Sequence, residues 1–226
     1  MRKLAFFMIL AVQVAALSAG DVANFVSLGF SPDGTRFAFG QYGRTDADFR
    51  AYADILAVDV AKNNFLPSGK FATVPDAATA GKDGKSVFFA LQDTASGYLG
   101  KQGIDANLQG RALYVQAENE PELKELSFRD FETGSEYAIS VRTLSEGSGS
   151  DVRSSFYILA TITDSSGKKI SKTIGLPGYK RPGVKDYLIR RIVTDSSGKS
   201  LVFIVEKKQV DRKGDSVRFM VETCRL

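Results

Sequence analysis

The chain has no histidine and only one cysteine, and each shortage excludes a class of site. Without histidine there is no imidazole to act as a general base, as the usual zinc ligand, or in a Ser-His or Cys-His nucleophile pair. With Cys224 alone, the chain can form neither an intramolecular disulfide nor a thiolate metal cluster. Cys224 ends an alternating run that begins at Val217, so we expect it to be a small buried hydrophobic residue.

Long apolar runs are also scarce, and beyond the N-terminus none approaches membrane-spanning length. At the N-terminus, Arg2 and Lys3 precede an apolar run over Leu4–Leu17. Small residues follow it: Ser18, Ala19 and Gly20. This order predicts a secretory signal peptide over residues 1–20, cleaved after one of the three small residues. We therefore expect a periplasmic or secreted protein whose mature chain has no transmembrane segment.

Helix-favouring runs are few, whereas clusters of Val, Ile, Phe, Tyr and Thr bounded by Gly, Ser, Asp and Pro are frequent. This composition predicts an all-β fold. The clearest local signal is Phe30–Phe39, FSPDGTRFAF. Pro32 presets the φ angle of a type I turn, Asp33 can accept bonds from its own downstream backbone, and Gly34 tolerates a left-handed conformation. The stretch therefore predicts a β-hairpin.

Related turns recur along the chain, each ending in glycine and followed by two polar or small residues and an apolar alternation. The four glycines are Gly34, Gly84, Gly134 and Gly198, with spacings of 50, 50 and 64 residues. A further apolar strand pattern follows each turn, at residues 52–60, 111–115, 155–159 and 216–221. The repeat predicts a β-propeller-like array of about four four-stranded antiparallel blades, with a β-sandwich as the alternative. We expect a single β-repeat domain over residues 21–226, in which the Gly/Ser-rich segment 145–150 is the best candidate for an internal boundary.

Residues of the first repeat resemble a known family pattern. FSPDGTRFAF, followed by the strand from Asp54 to Val60, resembles the TolB-type (WD40-like) repeat of periplasmic β-propellers over some forty residues. The other three repeats lack the Ser-Pro-Asp core. This resemblance implies a periplasmic location and protein partners. The chain as a whole is also similar to a family of predicted secreted bacterial proteins, and that similarity implies no activity.

Positive charge is concentrated in the last third of the chain. Residues 151–226 contain 16 Lys/Arg and 8 Asp/Glu, a net charge of +8, whereas the whole chain carries +4. The candidate binding residues in this region are Lys180, Arg181, Lys185, Arg190 and Arg191. A basic surface of this kind attracts anionic polymers, lipid headgroups or acidic proteins, while ordinary solvated hairpin tips are an equally good explanation. Nucleic acid is not expected for an exported chain.

Carboxylates supply the remaining candidates for chemistry. Asp46 and Asp48 alternate in one loop and could hold a hard cation such as calcium, although solvated loop charge explains them more simply. We expect a non-enzymatic binding module of the cell envelope that needs no cofactor and uses its loops or its basic C-terminal face. The alternative is a carboxylate-dependent glycan or phosphoester hydrolase, with or without calcium, that uses Asp46, Asp48 or Asp54.

Overall fold

The computed structural model describes residues 20–117, 120–211 and 214–226, which form thirteen strands and one α-helix. The first four strands form an antiparallel sheet, sheet I, in the order β1-β2-β3-β4. Its strands are β1 (Asn24–Phe30), β2 (Arg36–Arg44), β3 (Ala51–Asp59) and β4 (Asn64–Thr73). The helix α1 (Gly84–Lys101) follows sheet I.

Two further antiparallel sheets complete the fold. Sheet II has the order β10-β8-β7-β6, with β9 also paired to β8. Its strands are β6 (Glu125–Arg129), β7 (Glu136–Glu146), β8 (Arg153–Thr163), β9 (Lys169–Gly175) and β10 (Arg181–Pro182). Sheet III has the order β13-β12-β11-β5. Its strands are β5 (Arg111–Val115), β11 (Val184–Thr194), β12 (Ser200–Asp211) and β13 (Gly214–Arg225).

Sheet III is the middle layer of a stack and buries both of its faces. Successive residues of a strand point to opposite faces, so Leu201 and Phe203 of β12 pack towards sheet II while Val202 packs towards sheet I. Between sheets II and III the rings of Phe156 and Tyr187 stack with their centroids 4.1 Å apart. Burial on both faces explains why β12 begins as a continuous apolar run rather than an alternating one.

Both ends of the stack are closed, and this corrects the propeller prediction. The outer face of sheet I is covered by α1, and the outer face of sheet II carries exposed residues such as Ser127, Ala138 and Thr173. Among the described residues, Leu159 of sheet II and Phe89 of α1 are exposed on these outer faces, but no further sheet packs against either face. The fold is therefore all-β, as expected, but its three sheets resemble the alternative, a sandwich, and do not close into a ring of about four blades.

The second predicted repeat, at Gly84, is the start of α1 and not a hairpin strand. Asp83 is the N-cap, and its Oδ2 accepts a hydrogen bond from the Ser86 backbone N–H at 2.9 Å. The buried helix residues are Gly84, Val87, Phe88, Leu91, Ala95 and Leu99, whose spacing is helical. An Asp-Gly pair followed by Lys and Ser suits a hairpin turn and a helix N-terminus equally well, so the turn signature alone misassigned this segment.

The hairpin predicted at Phe30–Phe39 is confirmed as the β1–β2 connection. Asp33 accepts bonds from the Ser31 hydroxyl at 2.6 Å and the Thr35 backbone at 3.0 Å, and these bonds lower its pKa to about 2. Gly34 has a φ of 66°, and a Cβ there would lie 2.3 Å from the Asp195 carboxylate. Glycine is therefore required at this position by both its backbone and its neighbour.

The turns at Gly134 and Gly198 connect β6 to β7 and β11 to β12. An ion pair ties the first of them to sheet III, because Arg111 of β5 donates two hydrogen bonds to Asp130, at 2.7 and 2.8 Å. Asp130 also accepts a bond from the Thr133 hydroxyl, and the Arg111 guanidinium holds the Asp130 pKa at about 2. This bidentate pair is one of the specific polar links between two stacked sheets.

The predicted signal peptide, residues 1–20, lies outside the described residues except for Gly20. Among the described residues, no helix combines the length and apolar character that crossing a bilayer requires. Residues 145–150 complete β7 and lead into β8 within sheet II. A domain boundary at that segment stays a prediction.

Because α1 docks onto sheet I, we expect the loss of the Phe88 side chain to destabilise the fold strongly. Phe88 is 1% exposed and lies against Gly40. We expect Phe88→Ala to lower the free energy of unfolding by about 3–5 kcal/mol, because a buried aromatic side chain leaves a cavity. Phe89, the next helix residue, is 51% exposed and provides the matched control. Phe89→Ala should cost less than about 1 kcal/mol in urea unfolding. Equal losses for the two variants would contradict the docking of this helix face.

The Arg111–Asp130 pair predicts a pH-dependent contribution to stability. The folded-state pKa of Asp130 lies below its unfolded value, so the stabilisation is complete above about pH 4 and is lost as the pH falls towards 2. We expect Asp130→Asn to cost about 2 kcal/mol at pH 7 and to flatten the loss of stability between pH 4 and 2. Asp93→Asn is the control, because Asp93 is exposed on α1 and no hydrogen bond or ion pair of its carboxylate is found among the described residues. Parallel wild-type and Asp130→Asn stability curves would contradict the assignment.

Candidate anion-binding groove

The five predicted basic residues do not form one open basic face. Lys180 pairs with Glu146, Lys185 with Asp215, and Arg190 with Glu206. Arg191 is exposed, and no ion pair is found for it within the described part of the chain. Further acidic partners come from the first two thirds of the chain, as in the pairs Lys208–Glu122 and Arg218–Asp21. The charge asymmetry of the sequence is therefore largely compensated in space.

Arg181 differs from the other four. Its side chain is 16% exposed, and its guanidinium carbon lies 5.4 Å from the ring centroid of Phe156, 5.0 Å from that of Tyr179 and 5.7 Å from that of Tyr187. Three aromatic rings hold the cation by cation–π attraction and limit its rotamers. The guanidinium is consequently fixed in position before any ligand arrives.

The Arg181 guanidinium has no hydrogen-bond acceptor among the described residues. Its Nη1 is buried without a partner, and its Nη2 lies 3.9 Å from Oε1 of Glu222, which is too far for a hydrogen bond. A guanidinium carries five N–H donors, and buried donors of this kind are nearly always paired in folded proteins. An unsatisfied, preorganised arginine is the feature that most needs an explanation in this molecule.

Arg181 lines a groove of about 300 Å³, which we call the Arg181 groove. One wall is β4 of sheet I with Phe65 and Lys70, and the opposite wall is the segment before β10 with Leu176 and Tyr179. Residues 220–222 of β13 form the floor. The groove therefore lies where all three sheets meet along one edge of sheet III.

Two side-chain amides from sheet I cover the outer edge of β13 beside this groove. Oδ1 of Asn63 accepts the Thr223 backbone N–H at 2.7 Å, and Oε1 of Gln41 accepts the Phe219 backbone N–H at 2.7 Å. Asn63 also donates its Nδ2 to the Glu222 carboxylate. Asn63 thus fixes both the strand edge and the carboxylate that lies closest to Arg181.

The electrostatics of the site favour an anion. Burial raises the pKa of Glu222, since the ionised carboxylate is poorly solvated there. Lys207 of β12 is partly buried, and this burial, together with the nearby charges of Arg181 and Arg218, lowers its pKa to about 8. Burial is the larger cause, and the two guanidinium charges add to it, so an added anion would offset part of the effect.

The carboxylates proposed for calcium are placed in separate environments. Asp48 pairs with Arg50 at 2.9 Å, and Asp54 accepts a bond from Gln41 at 3.2 Å, with its pKa raised by burial between sheets I and III. Asp46 has one buried carboxylate oxygen without a partner. Within the described ranges no group of three His, Cys, Asp or Glu residues is arranged to hold a metal ion. The calcium-assisted alternative stays a prediction.

A second cavity, of about 440 Å³, lies where three hairpin turns converge at one end of the molecule. It is lined by Ser31, Thr133 and residues 195–198. Its buried carboxylate, Asp195, already accepts bonds from the backbone N–H groups of Lys199 and Ser200, at 2.9 and 2.7 Å. This carboxylate serves the turn itself, which is why we place the candidate site at the Arg181 groove instead.

The sequence indicates Arg181 as a candidate but not the residues that surround it. Glu222, Asn63 and Phe65 come from strands and turns far apart in the chain, and no local spacing relates them to residue 181. The motif Tyr179-Lys180-Arg181-Pro182 did place one aromatic side chain beside the arginine. That adjacency is the one sequence signal that could have indicated a cation held against an aromatic ring.

Comparison with known proteins identifies the family of the chain but no individual protein that matches it. No curated protein and no solved structure gives a significant match, so the resemblance of the first repeat to TolB-type repeats receives no support. The predicted secreted family is confirmed. Residues 38–225 match the profile of a family described as predicted secreted protein (DUF2259), and since the match covers most of the chain, the protein belongs to that family.

Proposed function

We propose that the protein is an exported, non-enzymatic binding module of the cell envelope that holds an anionic partner in the Arg181 groove. The observation that carries the proposal is the Arg181 guanidinium, which three aromatic rings hold in place and which has no hydrogen-bonded acceptor among the described residues. Export is supported by the predicted secreted family to which the chain belongs.

The arrangement suits recognition better than catalysis. A fixed guanidinium presents parallel N–H donors that match the two oxygens of a carboxylate or phosphate, so that binding costs little rotamer entropy. The neighbouring Glu222 accepts a bond from Asn63 and lies beyond hydrogen-bond distance of Arg181. The Arg181 side chain is 16% exposed, so an anion that enters the groove can accept hydrogen bonds from the accessible part of the guanidinium.

Removing the guanidinium should abolish most of the anion affinity. We expect Arg181→Gln to weaken binding of acetate and phosphate by about 10- to 100-fold, the equivalent of about 1.5–3 kcal/mol for hydrogen bonds to a charged group. Isothermal titration calorimetry of the mature protein measures this. Arg191→Gln, which removes an exposed arginine outside the groove, should leave both affinities unchanged. The proposal fails if neither anion binds, or if Arg181→Gln binds as well as the wild type.

Replacing Glu222 provides a second test, in which the affinity for the anion is expected to rise rather than fall. An anion bound to Arg181 lies close to this carboxylate, and like charges at short range repel. We expect Glu222→Gln to strengthen phosphate binding several-fold, since glutamine keeps the shape and can still accept the bond from Asn63. Unchanged or weaker phosphate binding in this variant, with a normal circular dichroism spectrum, would place the anion elsewhere.

A further inference from the structure

We infer that the ligand of the Arg181 groove is amphipathic, namely a carboxylate carried on an unbranched apolar chain. This inference rests on the proposed function and specifies the chemistry of the same site. The walls of the groove, rather than the arginine, indicate this chemistry.

Exposed apolar side chains collect around this groove. Phe65 is 40% exposed, Leu176 is 61% exposed and Tyr179 is 59% exposed, and all three line it. They continue inwards onto apolar residues of the sheets, including Val58 and Met220. Single exposed apolar residues are ordinary, but several converging on one concavity next to a polar anchor are typical of a small-molecule site.

The two cations that line the groove differ in their surroundings. Nζ of Lys70, on an exposed residue, lies 4.0 Å from the ring centroid of Phe65, whereas the Arg181 side chain is largely buried among three rings. A charged head bound to Arg181 is shielded from water, which strengthens its hydrogen bonds. The apolar part of the ligand then lies against Phe65, Leu176 and Tyr179, where it removes their exposed surface from water.

The size of the groove favours one chain over a polymer. Its volume of about 300 Å³ lies at the lower end of the range for small-molecule sites. A hydrophilic polymer would leave the apolar walls in contact with water, and inorganic phosphate would leave most of the groove unfilled. A single acyl chain with a terminal carboxylate packs against the apolar walls and binds the arginine through its charged end.

Calorimetric titration of the mature protein with acetate, phosphate, decanoate and decanol tests this inference. Each buried CH₂ contributes about 4-fold in affinity, so we expect decanoate to bind at least about 100-fold more tightly than acetate. Decanol should bind at least about 10-fold more weakly than decanoate, because it lacks the charge that Arg181 recognises. Leu176→Ser should weaken decanoate about 10-fold and leave acetate unchanged, whereas Arg181→Gln should weaken both.

The outcomes separate the two proposals. If acetate and phosphate bind through Arg181 but decanoate binds no more tightly, the amphipathic ligand is excluded while the anion site stands. If decanoate binds equally well to the wild type, Leu176→Ser and Arg181→Gln, its binding is non-specific and the inference is overturned. If no anion binds, the proposed function itself is wrong. Leu176 is exposed, so Leu176→Ser is expected to fold, and Arg191→Gln again serves as the matched control.

Discussion

Burial of both faces of sheet III is the constraint on which the rest of the molecule depends. A sheet with apolar side chains on both faces cannot face water on either, so sheets I and II must both be in place before the middle strands are stable. The same constraint brings distant parts of the chain together along β13. The Arg181 groove exists because sheet I and sheet II approach that strand from opposite sides.

The local elements could largely be predicted from the sequence, and their arrangement could not. The hairpin at Phe30–Phe39 follows from Pro, Asp and Gly at fixed turn positions, whose effect is local. The segment at Gly84 was misassigned because Asp83 satisfies a turn and a helix N-terminus alike, although the helical spacing of Val87, Leu91 and Ala95 was available as a signal. The order of the layers depends on which face of β12 meets which sheet, and a continuous apolar run does not encode that choice.

The candidate site, likewise, could be predicted from the sequence only in part. Arg181 was found because charge is visible in a sequence, but so were Lys180 and Lys185, which the structure pairs with acidic residues at distant positions. What distinguishes Arg181 is the lack of an acceptor within the described residues, together with rings contributed by sheets II and III. Both properties arise from tertiary contacts. Net charge by region therefore locates candidate cations and cannot tell a hydrogen-bonded cation from one that lacks an acceptor.

The amides of Gln41 and Asn63 on the edge of β13 have a consequence for the association of the protein with other chains. Unpaired strand edges invite association with other chains, and proteins often discourage it with lysines placed along the edge. Charge repulsion of that kind weakens as ionic strength rises. Neutral amides occupy the Phe219 and Thr223 N–H groups directly, so their protection does not depend on salt. An exported protein that meets variable ionic conditions keeps this edge closed to aggregation.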